Sequence, residues 1–376
     1  MIATVMASGD HHFQEGDRFD ECKRIHRFVA DEVERRRPAL FLSAGDVFDR
    51  ASTPTERLAA ADFFAAVASV CPVVVVRGNH DRRLDCRIFD RIRAAHPVIV
   101  EEHAAVHVIA GIAVGAVAWP NRAAIAAMTG RPIGGAALDV VAHEQIVAVL
   151  GKLGEELARH EGPRVVVGHF MVDGAAPSIG QPLQGQPISV TAEDLVIPGA
   201  PLVICGHIHR GQEWRVGDVE IAYTGSPYRT SFGETDDKSV ILASFDGPRL
   251  AGWSRIATPA RRMILLDATW SDRLDAEIPD GIEDADVRLR YHVPDEQRGQ
   301  AREAARDLVA RLRTAGAHVP DPEERVIATA RARAPRVAAA STLPDKIAAS
   351  WEARGKTVAE PQRSRVLGLA AEIESA

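Results

Sequence analysis

The stretch VVVVRGNHDRR, residues 73–83, decides the fold. Four β-branched valines suit a pleated, buried setting, so residues 73–76 read as an interior strand. That strand runs straight into Gly78, Asn79, His80 and Asp81. Packing alone gives no reason to end a buried strand on an amide, an imidazole and a carboxylate. The ending raises the question of what is held there.

The surrounding segments repeat the design. IATVMAS (2–8) is apolar and β-prone and ends at Gly9-Asp10. Residues 18–36 carry Phe19, Cys22, Ile25, Phe28, Val29 and Val33 at helical spacing. Pro38 stops that helix, and ALFLSAG (39–45) forms the next strand. Thr53-Pro54 opens a second helix, with proline just inside its start, and Pro72 closes it. Strands alternating with helices predict a parallel βαβ sheet buried on both faces. Further on, RVVVGHF (164–170) and PLVICGHIHRG (201–211) are apolar strands ending on Gly168-His169 and on Gly206-His207-Ile208-His209. EIAYTGSPYRTSFGE (220–234) and KSVILASFDG (238–247) read as strands and turns, and the polar segment 174–190 as a loop.

Past about residue 262 the style changes. DADVRLRYHV (284–293) reads as a strand and residues 295–319 as an Ala/Arg/Leu-rich helix. Residues 330–346 read as an Ala/Arg/Pro-rich linker, followed by short amphipathic helices at 343–355 and 364–375. No internal repeat is visible.

Composition bounds the possibilities. The 376 residues suit two or three domains, and the 46% hydrophobic fraction supports a sizeable core. No apolar run is long enough to span a bilayer, and the N-terminus has no basic, apolar leader. Cys22, Cys71, Cys86 and Cys205 have no paired spacing, which predicts reduced thiols in a cytoplasm. The net charge of −7 does not advertise a nucleic-acid binder; DNA would need a local basic patch or a partner. RGKT (354–357) ends like a P-loop, but Ser350 stands where the first glycine is needed. ATP use, if any, belongs to another chain.

Five strand ends therefore carry metal-friendly side chains: Asp10-His11-His12, Asp46 to Asp49, Asn79-His80-Asp81, His169, and His207 with His209. Carboxyl ends of parallel strands share one edge, where ligand sites form. Mixed nitrogen and oxygen donors without thiolate suit Mn²⁺, Fe or Zn more than Ca²⁺.

The order D-x-H, GDxxD, GNHD, GH, GHxH resembles the calcineurin-like metallophosphoesterase superfamily over roughly residues 1–240. The resemblance implies a four-layer α-β-β-α core with two divalent metals, Mn²⁺ foremost and Mg²⁺ an alternative. One metal would take Asp10, His12, Asp46 and His209. The other would take Asp46, Asn79, His169 and His207, with Asp46 bridging. His80 would face the phosphate as the catalytic imidazole, and Asp49 would hydrogen-bond it and keep it oriented and cationic; a turn cap is the alternative for Asp49. Asp81 is expected to fix the loop. His11 is not a motif position and is expected at the site's edge or in solvent.

YTGSPYRTSFGE (223–234) further resembles the segment after GHIH in the SbcD family of DNA-break-processing nucleases. That likeness implies a nuclease domain over 1–265, a small α/β capping domain over 266–335 and a helical tail over 341–376. The tail would dock on an SbcC-like SMC-family ATPase. It implies a homodimer, acting on DNA ends, single strands or hairpins, without a membrane. Arg82, Arg83 and Arg229 are the expected DNA contacts, with Arg210 a further candidate. The alternative for residues 82–93 is a solvated helix face with pairs to Asp85 and Asp90. The first motif reads SGDHH, with Gly9 between the serine and Asp10. Two rival readings stand beside the nuclease: a small-molecule phosphodiesterase or phosphatase, and a metal-binding scaffold without turnover.

Overall fold

Val73–Val76 have no solvent exposure, and they form the third of four parallel strands. Those strands are β1 (Ile2–Ser8), β2 (Leu40–Ser43), β3 (Val73–Val76) and β4 (Val98–Glu101). Burial of each such valine contributes roughly 1.5–3 kcal/mol relative to exposure. The computed structural model describes residues 2–130, 136–181, 187–274, 276, 278–327 and 335–375. Residues 182–186 of the expected loop and 330–334 of the expected linker lie outside the described residues.

The motif-bearing strands do not all join one sheet. β5 (Ala104–Ile109), β6 (Ile112–Val117), β7 (Arg164–His169), β10 (Leu202–Gly206), β11 (Gln212–Val216) and β12 (Val219–Tyr223) form a second sheet. A two-stranded ribbon, β8 (Met171–Val172) and β9 (Ser189–Val190), interrupts them in the chain. The second sheet runs β11-β12-β10-β7-β6-β5, with its four inner strands parallel and both edges antiparallel. β13 (Ser239–Asp246) and β14 (Arg249–Ala257) return antiparallel and complete the first sheet, β14-β13-β1-β2-β3-β4.

Three apolar clusters give four layers. Helices α1 (Phe19–Arg36) and α2 (Pro54–Ala68) cover one face of the first sheet, with Ile25, Val29, Phe63 and Phe64 against Phe41 and Val75. The two sheets meet through Val74, Val76, Leu40 and Leu42 on one side and Val114, Val165, Val167 and Ile204 on the other. Helix α4 (Ala136–Leu157), which follows α3 (Arg122–Thr129), covers the far face of the second sheet through Leu150, Leu153 and Leu157. This is the four-layer α-β-β-α arrangement that the resemblance implied. Thr53 caps α2 and Glu56 reaches back to the Thr53 amide, so local sequence sets where that helix starts.

The chain divides into two compact units: Met1–Leu266 with Ile278–Arg288 and Ala310–Asp321, and Asp267–Glu277 with Leu289–Val309 and Pro322–Ala376. Strands β15 (Met263–Thr269), β16 (Asp286–Pro294) and β17 (Glu323–Ile327) form a three-stranded sheet in that order. The segment read as a strand at 284–293 is β16, and the helix read at 295–319 is α5 (Arg298–Thr314). In the second unit, Glu324 accepts from Arg302 at 2.7 Å, Arg298 at 2.8 Å and Tyr291 at 2.9 Å. Its last helices are α6 (Pro335–Ala339), α7 (Leu343–Ala353) and α8 (Glu360–Ser375). Glu374 on α8 accepts from the Leu343 amide at the start of α7 at 3.0 Å.

Candidate metal centre

The carboxyl ends of both sheets meet, and the loops there are stitched to each other. Asp10 N donates to Gly45 O at 2.9 Å, and His12 N to Asp46 O at 3.0 Å. His207 N donates to Asp10 Oδ1 at 2.9 Å, and His80 N to Asp46 Oδ1 at 2.8 Å. Asp10, His12, Asp46 and His207 all have φ between 43° and 109°, the left-handed region that side chains avoid. Such residues cost of order 1–3 kcal/mol each and persist only where surroundings over-determine them. The close approach also demands glycine. A Cβ on Gly78 would lie 2.0 Å from Asp46 Oδ1, and one on Gly206 would lie 2.1 Å from Ala44 O.

Three groups of ligand atoms result among the described residues, the third being His12, Asp49 and His80. Those of Asp10, His12 and His209 lie within 4.8 Å of one another, as do those of Asp46, His169 and His207. Asn79 joins the second group, its Oδ1 lying 2.9 Å from His169 Nε2 and 2.8 Å from His207 Nδ1. His169 Nδ1 donates to Ala44 O at 2.7 Å, which turns Nε2 toward Asp46 Oδ2, 3.2 Å away. A backbone carbonyl on the remote nitrogen is the usual orienting device for a metal-binding imidazole.

Whether the residues suit cations can be judged from their unmet demands. His12 Nε2 and His207 Nε2 are buried without hydrogen-bond partners, a cost of roughly 1–3 kcal/mol for each such atom. Burial opposes charge on His169, yet Asp46 raises its pKa to about 9. Burial likewise opposes charge on His12, and Asp49, Asp46 and Asp10 raise it to about 9. Asp46 is held well below the carboxylate range despite burial, chiefly by His169. His207 goes down to about 3 through burial and the neighbouring His169. The carboxylates thus draw positive charge onto His12 and His169 but not onto His207. Divalent cations, which compete with those protons, fit the donor set and the burial.

Several expected roles take a different shape. Asp49 meets His80 through its backbone: His80 Nδ1 donates to Asp49 O at 2.6 Å. The Asp49 carboxylate instead lies 3.3 Å from His12 Nδ1 and accepts from Gln14 at 2.8 Å. The turn after Asp46 points the carbonyl, not the side chain, at His80. Asp81 accepts from the amides of Val47, Phe48 and Gly78 at 3.2, 2.9 and 2.9 Å and so ties two loops together.

His11 is neither at the edge nor in solvent. It is completely buried among Phe13, Phe63 and Phe64. Its hydrogen bonds can be directed. Cys22 O can only accept, so His26 Nδ1, 2.7 Å away, carries hydrogen. Burial lowers the His26 pKa to about 4, so the ring is neutral and its Nε2 accepts from His11 Nδ1 at 2.9 Å. Burial holds His11 neutral as well, so its Nε2 accepts from Ser43 Oγ at 2.9 Å. This chain braces the Asp10–His12 loop against α1 and β2.

Arg229 is corrected outright. It is buried, and its guanidinium donates to the carbonyls of Glu234, Ala260, Arg261 and Asp236 at 2.8–3.1 Å. It holds the turn after β12 and is shielded from solvent. Arg82 and Arg83 are exposed. Residues Cys86–Arg91 form a short 3-10 turn rather than an extended helix face. Arg87 pairs with Asp90 at 3.0 Å, while Asp85 accepts from Ser52. Arg210 is exposed.

Other residues at the centre escaped the sequence reading. Glu234 is buried 3.4 Å from His209 Nδ1, held by Thr230 at 2.7 Å and paired with buried Lys238. Its clue was its place as the last residue of SFGE, quoted above for its likeness only, four residues before Lys238. A pocket of about 300 Å³ opens over His12, Asn79, His80, His207 and His209, with Arg18, Gln181 and Tyr228 on its wall. Trp119 lies beside His207 with ring centroids 4.7 Å apart. Its clue was an apolar run, 112–118, that ends on Trp-Pro.

Comparison with known proteins places this geometry. The calcineurin-like phosphoesterase family pattern matches residues 3–211, and the chain belongs to that family. The SbcD subunit of the nuclease SbcCD from Bacillus subtilis (strain 168) is 27% identical over 241 residues, 57% of this chain. The match spans 58% of that relative's length. Among solved structures, TT1561 of Thermus thermophilus is 14% identical with a TM-score of 0.40, covering 65% of this chain and 99% of that one. The phosphopantetheinyl hydrolase PptH of Mycobacterium tuberculosis is 17% identical with a TM-score of 0.35, covering 60% and 90%.

Proposed function

We propose that this calcineurin-like phosphoesterase is a two-metal DNA nuclease of the SbcD type, the nuclease subunit of a complex with an SbcC-like ATPase. One observation carries the phosphodiesterase part: two buried ligand clusters, Asp10-His12-His209 and Asp46-His169-His207, below a pocket lined by His80. The resemblance to the Bacillus subtilis nuclease subunit supports DNA as the substrate.

Asp10, His12, Asp46 and His209 would hold one cation and Asp46, Asn79, His169 and His207 the other, Mn²⁺ being the favoured metal. Such a pair neutralises a phosphate and supplies a nucleophile from water near neutral pH. His80 is fixed by the Asp49 carbonyl on Nδ1, which leaves Nε2 for the leaving oxygen. Asp49 acts by holding that ring through its main chain and by steadying His12. Glu234 orients His209, and the Gln181 side chain holds the GHIH loop by bonds to His207 O at 2.7 Å and His209 N at 3.1 Å. Arg82 and Arg83, both exposed, supply positive charge for the DNA backbone.

The tail supports an ATPase partner. Val366, Leu369 and Ile373 on α8 are exposed, and all three fall on one helical face. A homodimer acting in the cytoplasm completes the reading. No described helix is long and apolar enough to cross a membrane.

The test is direct. The purified chain, loaded with Mn²⁺ or Mg²⁺, is given single-stranded DNA, duplex DNA and bis(p-nitrophenyl) phosphate. Cleavage of single-stranded DNA, abolished by EDTA, is expected. Hydrolysis of the chromogenic diester alone would replace the nuclease with a small-molecule phosphodiesterase.

A further inference from the structure

A second cavity, of about 770 Å³, opens in the first unit between the loop after β3 and helices α3 and α4. Its wall is apolar, formed by Val117, Trp119, Ile125, Met128, Ile146 and Val149. Trp119 belongs to this wall and to the metal centre: its ring is tilted 34° against His207, and its centroid lies 5.6 Å from that of His169.

The wall is built onto the GNHD loop. Trp119 N donates to Arg77 O at 2.8 Å, Arg77 Nη2 donates back to Trp119 O at 2.8 Å, and Arg77 Nη1 donates to Gly78 O at 3.0 Å. The acids nearby are engaged. Asp81 accepts from three amides, and Glu102 accepts from Leu84 N at 2.7 Å. Arg83 is exposed and lines the same cavity, as does the exposed Gln145.

We propose that this cavity receives the unpaired nucleobase attached to the phosphate held at the metal centre, packed against Trp119. The inference rests on the DNA reading above. Trp119 borders both the cavity and the metal centre, so a group bonded to a phosphate at the centre comes beside this wall. In DNA that group is a nucleoside, a flat apolar ring with polar edges. The cavity offers an aromatic wall, an amide at the edge and a cation beside the chain. Its volume falls within the roughly 300–1,000 Å³ of small-ligand sites. A base still paired and stacked cannot reach such a pocket, so single strands and frayed ends are preferred.

The test compares a thymidine oligonucleotide with an abasic oligonucleotide of equal length, and bis(p-nitrophenyl) phosphate as a diester with no base, all with Mn²⁺. Wild type is expected to cut the thymidine strand about ten-fold faster than the abasic one, the scale of one base–aromatic stack. Trp119→Ala should erase that preference and Trp119→Phe should keep most of it. Ala124→Trp fills the cavity from α3 and should lower the ratio of thymidine-strand to chromogenic-diester cleavage by a similar factor. If Trp119→Ala fails to fold, by its melting curve, Ala124→Trp decides. Equal wild-type rates on both strands, or a preference that survives in the cavity-filled variant, overturn the subsite and leave the nuclease intact. Hydrolysis of the chromogenic diester with neither strand cut removes the nuclease reading and the subsite together.

Discussion

Loops from the first sheet and loops from the second bring different chemistry to the same place. The first sheet supplies Asp10, Asp46 and Asn79, with His12 and His80. The second supplies only imidazoles, His169, His207 and His209. Their backbones differ too. Asp10, His12 and Asp46 lie in the left-handed region, whereas among the second sheet's three only His207 does. Three left-handed backbones thus stand in the first set and one in the second. The first half is therefore costly locally, and the second half depends on the two sheets packing in register.

The largest break should come from the residue that reaches both halves. Asp46 accepts from His80 N and faces His169 Nε2. Asp46→Ala is expected to lose metal from both clusters and to fall to the activity of EDTA-treated protein. Elemental analysis beside the cleavage assay checks this, and near-normal metal content would break the two-cluster arrangement.

His80→Gln separates holding from chemistry. Both metals and DNA binding should persist while cleavage drops by roughly 10²–10⁴-fold, the range for a lost general acid or base. Metal loss in step with activity would make His80 a ligand instead.

A third comparison sharpens the dependence on sheet packing. Gly206 stands where the second sheet presses on Ala44 of the first, whereas Gly252 in β14 has nothing within 4 Å of a Cβ. Gly206→Ala should cost about 1–3 kcal/mol by overpacking and lower the melting temperature. Gly252→Ala should leave melting almost unchanged. Equal responses would mean that the close approach is not a constraint.

The brace behind the first-sheet loop predicts a smaller effect. His26→Phe removes the acceptor of His11 Nδ1–H. Metal affinity should fall about ten-fold, as for other groups that support a ligand indirectly, with folding retained. A variant that folds with wild-type affinity would reduce the chain of imidazoles to core packing. The smallest intrinsic effect is expected at α8. Leu369→Asp with Ile373→Asp should shift stability by no more than about 0.5 kcal/mol, because both side chains are exposed. Co-purification with the proposed ATPase partner should be lost. Aggregation of that variant would place the stripe against the protein's own core.

The converging residues were legible because each follows an apolar strand and most sit beside a glycine, a pattern confined to a few positions in sequence. The limits of α2 were legible for the same reason, since Thr53, Pro54 and Glu56 cap it locally. The division into two sheets was not. RVVVGHF and VVVVRGNH look alike as strands, and only long-range pairing sends one beside β10 and the other beside β2. The strands at 98–117 carry no motif and were equally silent.

Sequence by itself therefore determined which side chains stand at the ends of strands and that their donors suit divalent cations. Tertiary structure decided the rest. It turned the Asp49 carboxylate to His12 and its carbonyl to His80. It enclosed Arg229 in main-chain carbonyls and buried His11 in a hydrogen-bonded chain. It also set Glu234 behind His209 and Trp119 beside His207. The physical reason is reach. A local pattern fixes direction and burial over a few residues, but a hydrogen-bond partner far away in the chain is chosen only when the sheets pack.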